Sequence, residues 1–118
     1  MKIELELRLE GQDANEETLL DLIDWLKRAN IDNLVITRTK LPPSKGNMGA
    51  WTDPNTIMTS VLTVIEVGRV INAIITWQKS KPVVIEPTLK NPEQISAEYN
   101  TRIQAILEEM RKKSGRGK

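Results

Sequence analysis

The chain begins with a strictly alternating segment. From Lys2 to Glu10, apolar side chains occupy every second position and charged residues stand between them. This two-residue period predicts a β-strand with one buried face and one charged face. Its apolar positions are Ile3, Leu5, Leu7 and Leu9. A charged outer face is typical of a sheet covered on one side only, or of an edge strand protected by charge.

A helix and a second strand follow. Acidic residues lie early in the segment from Glu16 to Ala29, where they favour the N-terminus of a helix. The apolar residues at helical spacing are Leu19, Leu22, Ile23 and Leu26. After an asparagine-rich turn, Leu34 to Thr39 is typical of a strand. Strand, helix and strand at this spacing predict a right-handed crossover between two parallel strands.

The longest apolar segment, from Ile57 to Trp77, predicts a central helix. Its polar residues recur at steps of three or four and therefore fall on one narrow face; they are Thr59, Thr63, Glu66, Arg69, Asn72 and Thr76. Asp53 and Pro54 are predicted as the N-cap and the first helical residue. A transmembrane helix is the weaker interpretation, because each central charge would cost about 2.5 to 3.5 kcal/mol on insertion scales.

The last third predicts one more strand and one more helix. Pro82 to Leu89 is strand-like but interrupted by Pro87, and Pro92 to Lys112 has helical spacing. The predicted fold is a small two-layer α/β domain of order β-α-β-α-β-α, with a mostly parallel sheet of about three strands packed on helices. Residues 1–110 are predicted to form this domain, and residues 111–118 a mobile basic tail. So small a sheet leaves part of the central helix uncovered, which predicts a homodimer or, alternatively, a docking surface for another protein.

Composition restricts the possible chemistry. The chain has no cysteine and no histidine, which excludes thiol catalysis, disulfides and histidine metal sites. Adjacent carboxylates, such as Glu108 and Glu109, point apart on a helix and do not predict acid/base catalysis. Glu66 and Arg69 are expected to form an ordinary intrahelical pair. We therefore predict a protein that is not an enzyme and needs no cofactor or metal. Met1 is followed by a strand-like segment and not by an apolar signal, so we expect a cytoplasmic protein.

Charge is concentrated at the C-terminus. The last eight residues, RKKSGRGK, hold five cations and no acid, while the chain as a whole has a net charge of +1. Such a segment could hold phosphates weakly. Charge runs are more often simply solvated, however, and no aromatic residue is interleaved with these cations to stack on bases. We therefore predict no specific nucleic-acid partner and no membrane partner.

The candidate site is the loop from Lys40 to Pro54, which is long for so small a domain. After a parallel strand it would lie at the carboxyl edge of the sheet, where ligands commonly bind. Its candidate contact residues are Gly46, Asn47, Met48, Gly49 and Trp51. The glycines could cradle an anion but are more typical of a turn, and Met48 and Trp51 could dock a partner or fasten the loop to the core.

Several short motifs follow one another between residues 3 and 85. They are Glu10-Gly11, Trp25-Leu26, Pro42-Pro43, Gly46-Asn47-Met48-Gly49-Ala50 and Trp77. In this order they resemble the effector-associated constant component family of bacterial conflict systems. Family members carry a strand hairpin with a glycine turn after the tryptophan-ended helix, whereas this chain has one interrupted strand and a helix-like segment.

The resemblance implies a non-catalytic component of a defence system. Such components are encoded beside effectors of the peptidase or NTPase class, so the expected function is that of an adaptor or regulatory subunit that docks such an effector. The alternative is a sensor of a small ligand or nucleotide that uses the loop of residues 40–54.

Overall fold

The alternating N-terminal segment forms strand β1, Ile3–Glu10, in a computed structural model that describes residues 2–41, 51–81 and 83–113. The four apolar side chains of β1 are at most 1% exposed, so the predicted half-buried strand is confirmed. The other elements are α1 (Glu16–Arg28), β2 (Val35–Leu41), β3 (Trp51–Val61), α2 (Val64–Gln78), β4 (Val84–Leu89) and α3 (Ala97–Lys113). A short 3-10 turn, Pro92–Gln94, occupies the predicted start of the last helix.

The sheet differs from the prediction in size and direction. It has four strands in the order β2-β3-β1-β4, and every neighbouring pair is antiparallel. The predicted mostly parallel sheet of about three strands is therefore wrong. Strands β1 and β2 do run in the same direction, as a crossover through α1 requires, but β3 lies between them.

The predicted central helix is also wrong in its first part. Residues from Ile57 to Val61 belong to β3, where Leu7 pairs with Ile57 and Ile3 with Val61. Asp53 and Pro54, predicted to begin the helix, lie in the same strand. A strand is favoured over a helix here because its alternate side chains extend the buried face of β1. The β-branched residues also suit a pleated sheet.

The helix itself begins after Thr63 and is fixed there by a capping box. The Thr63 hydroxyl accepts a hydrogen bond from the Glu66 backbone amide at 3.1 Å, and the Glu66 carboxylate accepts one from the Thr63 amide at 3.1 Å. This reciprocal pair satisfies two amides that a helix start leaves without partners. The apolar segment is therefore divided into a strand and a 15-residue helix. Within the described residues, no helix is long and apolar enough to cross a bilayer.

The third helix closes the domain beside β4. It packs on α2 and β4 through Ile103, Leu107 and Met110, all fully buried. Arg111, in its last turn, donates to the Glu86 carboxylate at 3.0 Å and to the Pro87 carbonyl at 2.9 Å. These bonds occupy polar groups at a sheet edge, where Pro87 lacks a donor. Of the predicted tail, residues 114–118 lie outside the described part of the chain.

The first six elements follow a known plan. The order β-α-β-β-α-β in one antiparallel sheet, with β1 and β3 at the centre, is the split β-α-β arrangement of ferredoxin-like domains. Helix α3 is an addition to that plan. Many unrelated functions use this arrangement, so function must be argued from the surface of this chain.

Candidate functional site

Most of the predicted contact loop lies outside the described part of the chain. Gly46, Asn47, Met48 and Gly49 lie outside the described residues, and the backbone of Trp51 begins β3 opposite Leu41. The loop therefore joins two antiparallel strands, and does not lead from a parallel strand into a helix. Its proposed contact with a partner or ligand stays a prediction.

Among the described residues, three large exposed apolar side chains lie together where α2 and α3 begin. Ile65 is 71% exposed, Leu62 46% and Tyr99 40%, and together they line a shallow depression of about 300 Å³. We call Leu62, Ile65 and Tyr99 the α2–α3 patch. Thr63, Val64 and Arg102 complete the lining. Single exposed apolar residues are ordinary, but an adjacent group of three large ones is a feature of interaction surfaces.

Ile65 is exposed because it lies on the solvent-facing side of α2. Counting from Ile65, the residues four, seven and eleven positions later lie on the same face of α2. They are Arg69, Asn72 and Thr76, which are all exposed. Core residues such as Val67, Val70 and Ile74 occupy the opposite side. Ile65 is thus the apolar member of an otherwise polar, solvent-facing stripe.

The Glu66 carboxylate holds the patch in place from beneath. One carboxylate oxygen accepts hydrogen bonds from the amides of Leu62 and Thr63, at 2.9 and 3.1 Å, and the other accepts one from Asn33 Nδ2 at 2.8 Å. Glu66 is only 7% exposed. The bond from the Leu62 amide, followed by that from Asn33, lowers the pKa of Glu66 below its usual range. The expected pair between Glu66 and Arg69 does not form.

The Glu66 carboxylate should make the stability of the fold depend on pH in the acidic range. Because its pKa is lowered in the folded chain, its contribution is complete above the unfolded-state value of about 4.3 and is lost as pH falls toward the folded value. We expect Glu66→Gln to melt below wild type at pH 7, with the gap narrowing toward pH 3. Thermal melts across this range test it, with the exposed Glu108→Gln as control. A gap of constant size would show that the charge of Glu66 contributes nothing.

Two tryptophans join α1 to α2. Trp25 Nε1 donates to the Ala73 carbonyl at 2.9 Å, and Trp77 Nε1 donates to the Asp21 carboxylate at 2.9 Å. The bond from Trp77, followed by that from Lys81, lowers the pKa of Asp21. The tryptophans that carry part of the family resemblance therefore have a structural role in the packing of the two helices.

Among the described residues, the acids singled out from the sequence lie in an ion pair or on an exposed helix face. Glu16 forms an ion pair with Arg38 at 2.9 Å, and Glu108 and Glu109 are exposed on α3. In the described ranges, no group of three or more histidine, cysteine, aspartate or glutamate residues is placed to hold a metal ion.

Comparison with known proteins adds no family to this geometry. No protein-family model matches the sequence. No curated protein matches it either. The resemblance to the effector-associated components accordingly stays a prediction, and the function must be proposed from the surface itself.

Proposed function

We propose that the chain is a non-catalytic, cytoplasmic adaptor that docks a protein partner on the α2–α3 patch. The observation that carries this proposal is the 71% exposure of Ile65 on a helix whose other large apolar residues are largely buried. Truncation of a large apolar side chain at the centre of an interface is the kind of change that removes most of the binding energy. The patch is also held rigidly, since Glu66 bonds the backbone beside it, and a preorganised surface loses less entropy on binding.

Gly68 is a second observation that favours docking on the α2–α3 patch. It lies one turn after Ile65 inside α2, where glycine costs about 1 kcal/mol relative to alanine. A Cβ added at Gly68 would meet nothing within 4 Å in the described chain, so no internal contact requires glycine at this position. A partner whose backbone approaches α2 closely would give the glycine a purpose.

The class of partner follows from the resemblance and not from the patch. If the chain is an effector-associated component, the partner is a peptidase or an NTPase encoded beside it. A role as a defence component depends on the same resemblance. The exposure of Ile65 supports the α2–α3 patch as the surface that such an effector would bind.

A homodimer competes for this surface. The sheet, α1 and α3 bury most of α2, so the apolar surface from which a dimer was expected is reduced largely to the α2–α3 patch. A second copy of the chain and an effector would both contact Ile65. Light scattering of the purified chain distinguishes the two cases. A mass of twice 13.4 kDa that Ile65→Glu halves would assign the patch to a second copy.

Ile65→Glu should strongly weaken effector binding without unfolding the chain. We expect titration calorimetry against the purified peptidase or NTPase from a neighbouring gene to show affinity reduced by roughly thirtyfold or more, the scale of a hot-spot residue. The matched control is Leu20→Glu, because Leu20 is 49% exposed on α1, beside the far end of α2. Its affinity should stay within about threefold of wild type.

Gly68→Ala separates docking from folding. It should raise the melting temperature, because alanine favours the helix and meets no neighbour, yet weaken effector binding. Equal affinities for wild type, Ile65→Glu and Gly68→Ala would contradict docking on this patch.

A further inference from the structure

We propose that a cleft at the opposite end of α2 binds a small oligophosphate anion. The cleft has a volume of about 400 Å³, and its lining includes three lysines, Lys79, Lys81 and Lys113. Ile75 and Val83 supply its apolar part. This volume lies within the range of small-molecule sites, about 300 to 1,000 Å³. The site is separate from the α2–α3 patch, because a 15-residue helix is about 22 Å long.

The fold gathers these lysines from separate parts of the chain. Both helices begin at the α2–α3 patch and both end at this cleft, so α2 and α3 lie side by side in the same direction. The end of α2 supplies Lys79, the following turn supplies Lys81, and the last residue of α3 supplies Lys113. We call these three residues the lysine cleft.

Charge at the lysine cleft is poorly balanced by the described residues. Lys81 pairs with Asp21 at 3.1 Å and lies 5.6 Å from the centre of the Trp77 ring. Lys79 and Lys113 have no ion-pair partner among the residues that the structure describes, and none of the described lining residues carries a carboxylate. Two lysines without an ion-pair partner, placed close together, make the local potential more favourable for an anion.

The lining suits a compact anion that carries several negative charges. Lysine binds phosphate as a point charge, without the bidentate geometry by which arginine matches both carboxylate and phosphate. A chain of two or three phosphates places several negative charges within one cleft. None of the described lining residues is aromatic, so stacking of nucleic-acid bases is not provided for. A free oligophosphate therefore suits this cleft better than a nucleic-acid strand.

Titration with inorganic tripolyphosphate tests the proposal. At about 150 mM salt, where exposed charges are already screened, calorimetry should show saturable one-to-one binding. Lys79→Gln with Lys113→Gln should weaken it by about tenfold, the effect of losing two close charge contacts at the surface. The matched control, Lys27→Gln with Lys112→Gln, removes the same charge from exposed lysines near helix ends and should stay within about threefold.

Three results would overturn the proposal. If both double variants weaken tripolyphosphate binding equally, only net charge attracts the anion. Lys79 and Lys113 would then merely offset the negative C-terminal ends of α2 and α3. Equal affinity for citrate would remove the preference for phosphate. Tight binding of a thymidine oligonucleotide without binding of tripolyphosphate would assign the cleft to nucleic acid instead.

Discussion

Asn91→Ala should destabilise the domain by about 2 to 4 kcal/mol, because it removes the partners of two backbone groups, one in β1 and one just before it. Asn91 Oδ1 accepts a hydrogen bond from the Glu4 amide at 3.0 Å, and Asn91 Nδ2 donates to the Lys2 carbonyl at 2.7 Å. The side chain is 2% exposed. It continues the ladder between β1 and β4 past Leu89, where the strand pairing ends.

Chemical denaturation with urea measures this change, and thermal melting should show a fall of about 10 °C. Asn91→Asp should restore little at neutral pH, since it places a second acceptor opposite the Lys2 carbonyl. The control is Asn72→Ala on the exposed stripe of α2, where about 0.5 kcal/mol or less is expected. A loss in Asn91→Ala as small as the control's would mean that β1 and β4 are held without this side chain.

Leu107→Ala should cost about 2 to 5 kcal/mol, a large share of the about 5 to 15 kcal/mol that stabilises a domain. Leu107 is fully buried where α3 packs on α2 and β4. The cost combines the lost burial of the side chain with the cavity it leaves. The prediction tests whether the helix added to the split β-α-β plan belongs to the single core.

The matched control for this change is Glu108→Ala, the next residue on the exposed side of α3. Denaturation of both variants should show one cooperative transition, with only Leu107→Ala shifted to lower urea. A separate early transition would show that α3 folds independently of the core, and shifts of equal size would show that Leu107 contributes no more than an exposed residue.

Much of the fold follows from the sequence, because several segments have one unambiguous period. The alternation from Ile3 to Leu9 and the stripe through Leu19, Leu22 and Leu26 predict β1 and α1 almost to the residue. The strand-like segments that became β2 and β4 are also confirmed. In each, local propensity and tertiary packing favour the same conformation.

The direction of the strands and the start of α2 could not be predicted from the periodicity of the sequence. From Ile57 to Val61 nearly every residue suits either a buried strand or an apolar helix, and periodicity cannot separate them over so short a distance. A signal was present, since Thr63-Val64-Ile65-Glu66 has the form of a capping box. If the helix starts after Thr63, the residues before it are free to form a strand. That strand is β3, the antiparallel neighbour of β1.

The α2–α3 patch was missed for the same reason. In a helix drawn from Ile57 to Trp77, Ile65 is one apolar residue among many, and Glu66 belongs to the solvent-facing stripe. The structure reverses both assignments: Ile65 is 71% exposed and Glu66 is 7% exposed. Leu62 and Tyr99 lie on different elements, so their proximity to Ile65 depends on tertiary packing that no local pattern contains.

The most direct test of docking on the α2–α3 patch is hydrogen exchange of the chain with and without the effector from a neighbouring gene. The account predicts slower exchange on binding at the backbone amides from Leu62 to Arg69 and near Tyr99, with little change at the outer face of α1 around Leu20. Unchanged exchange at the start of α2, with protection confined to other surfaces, would contradict it.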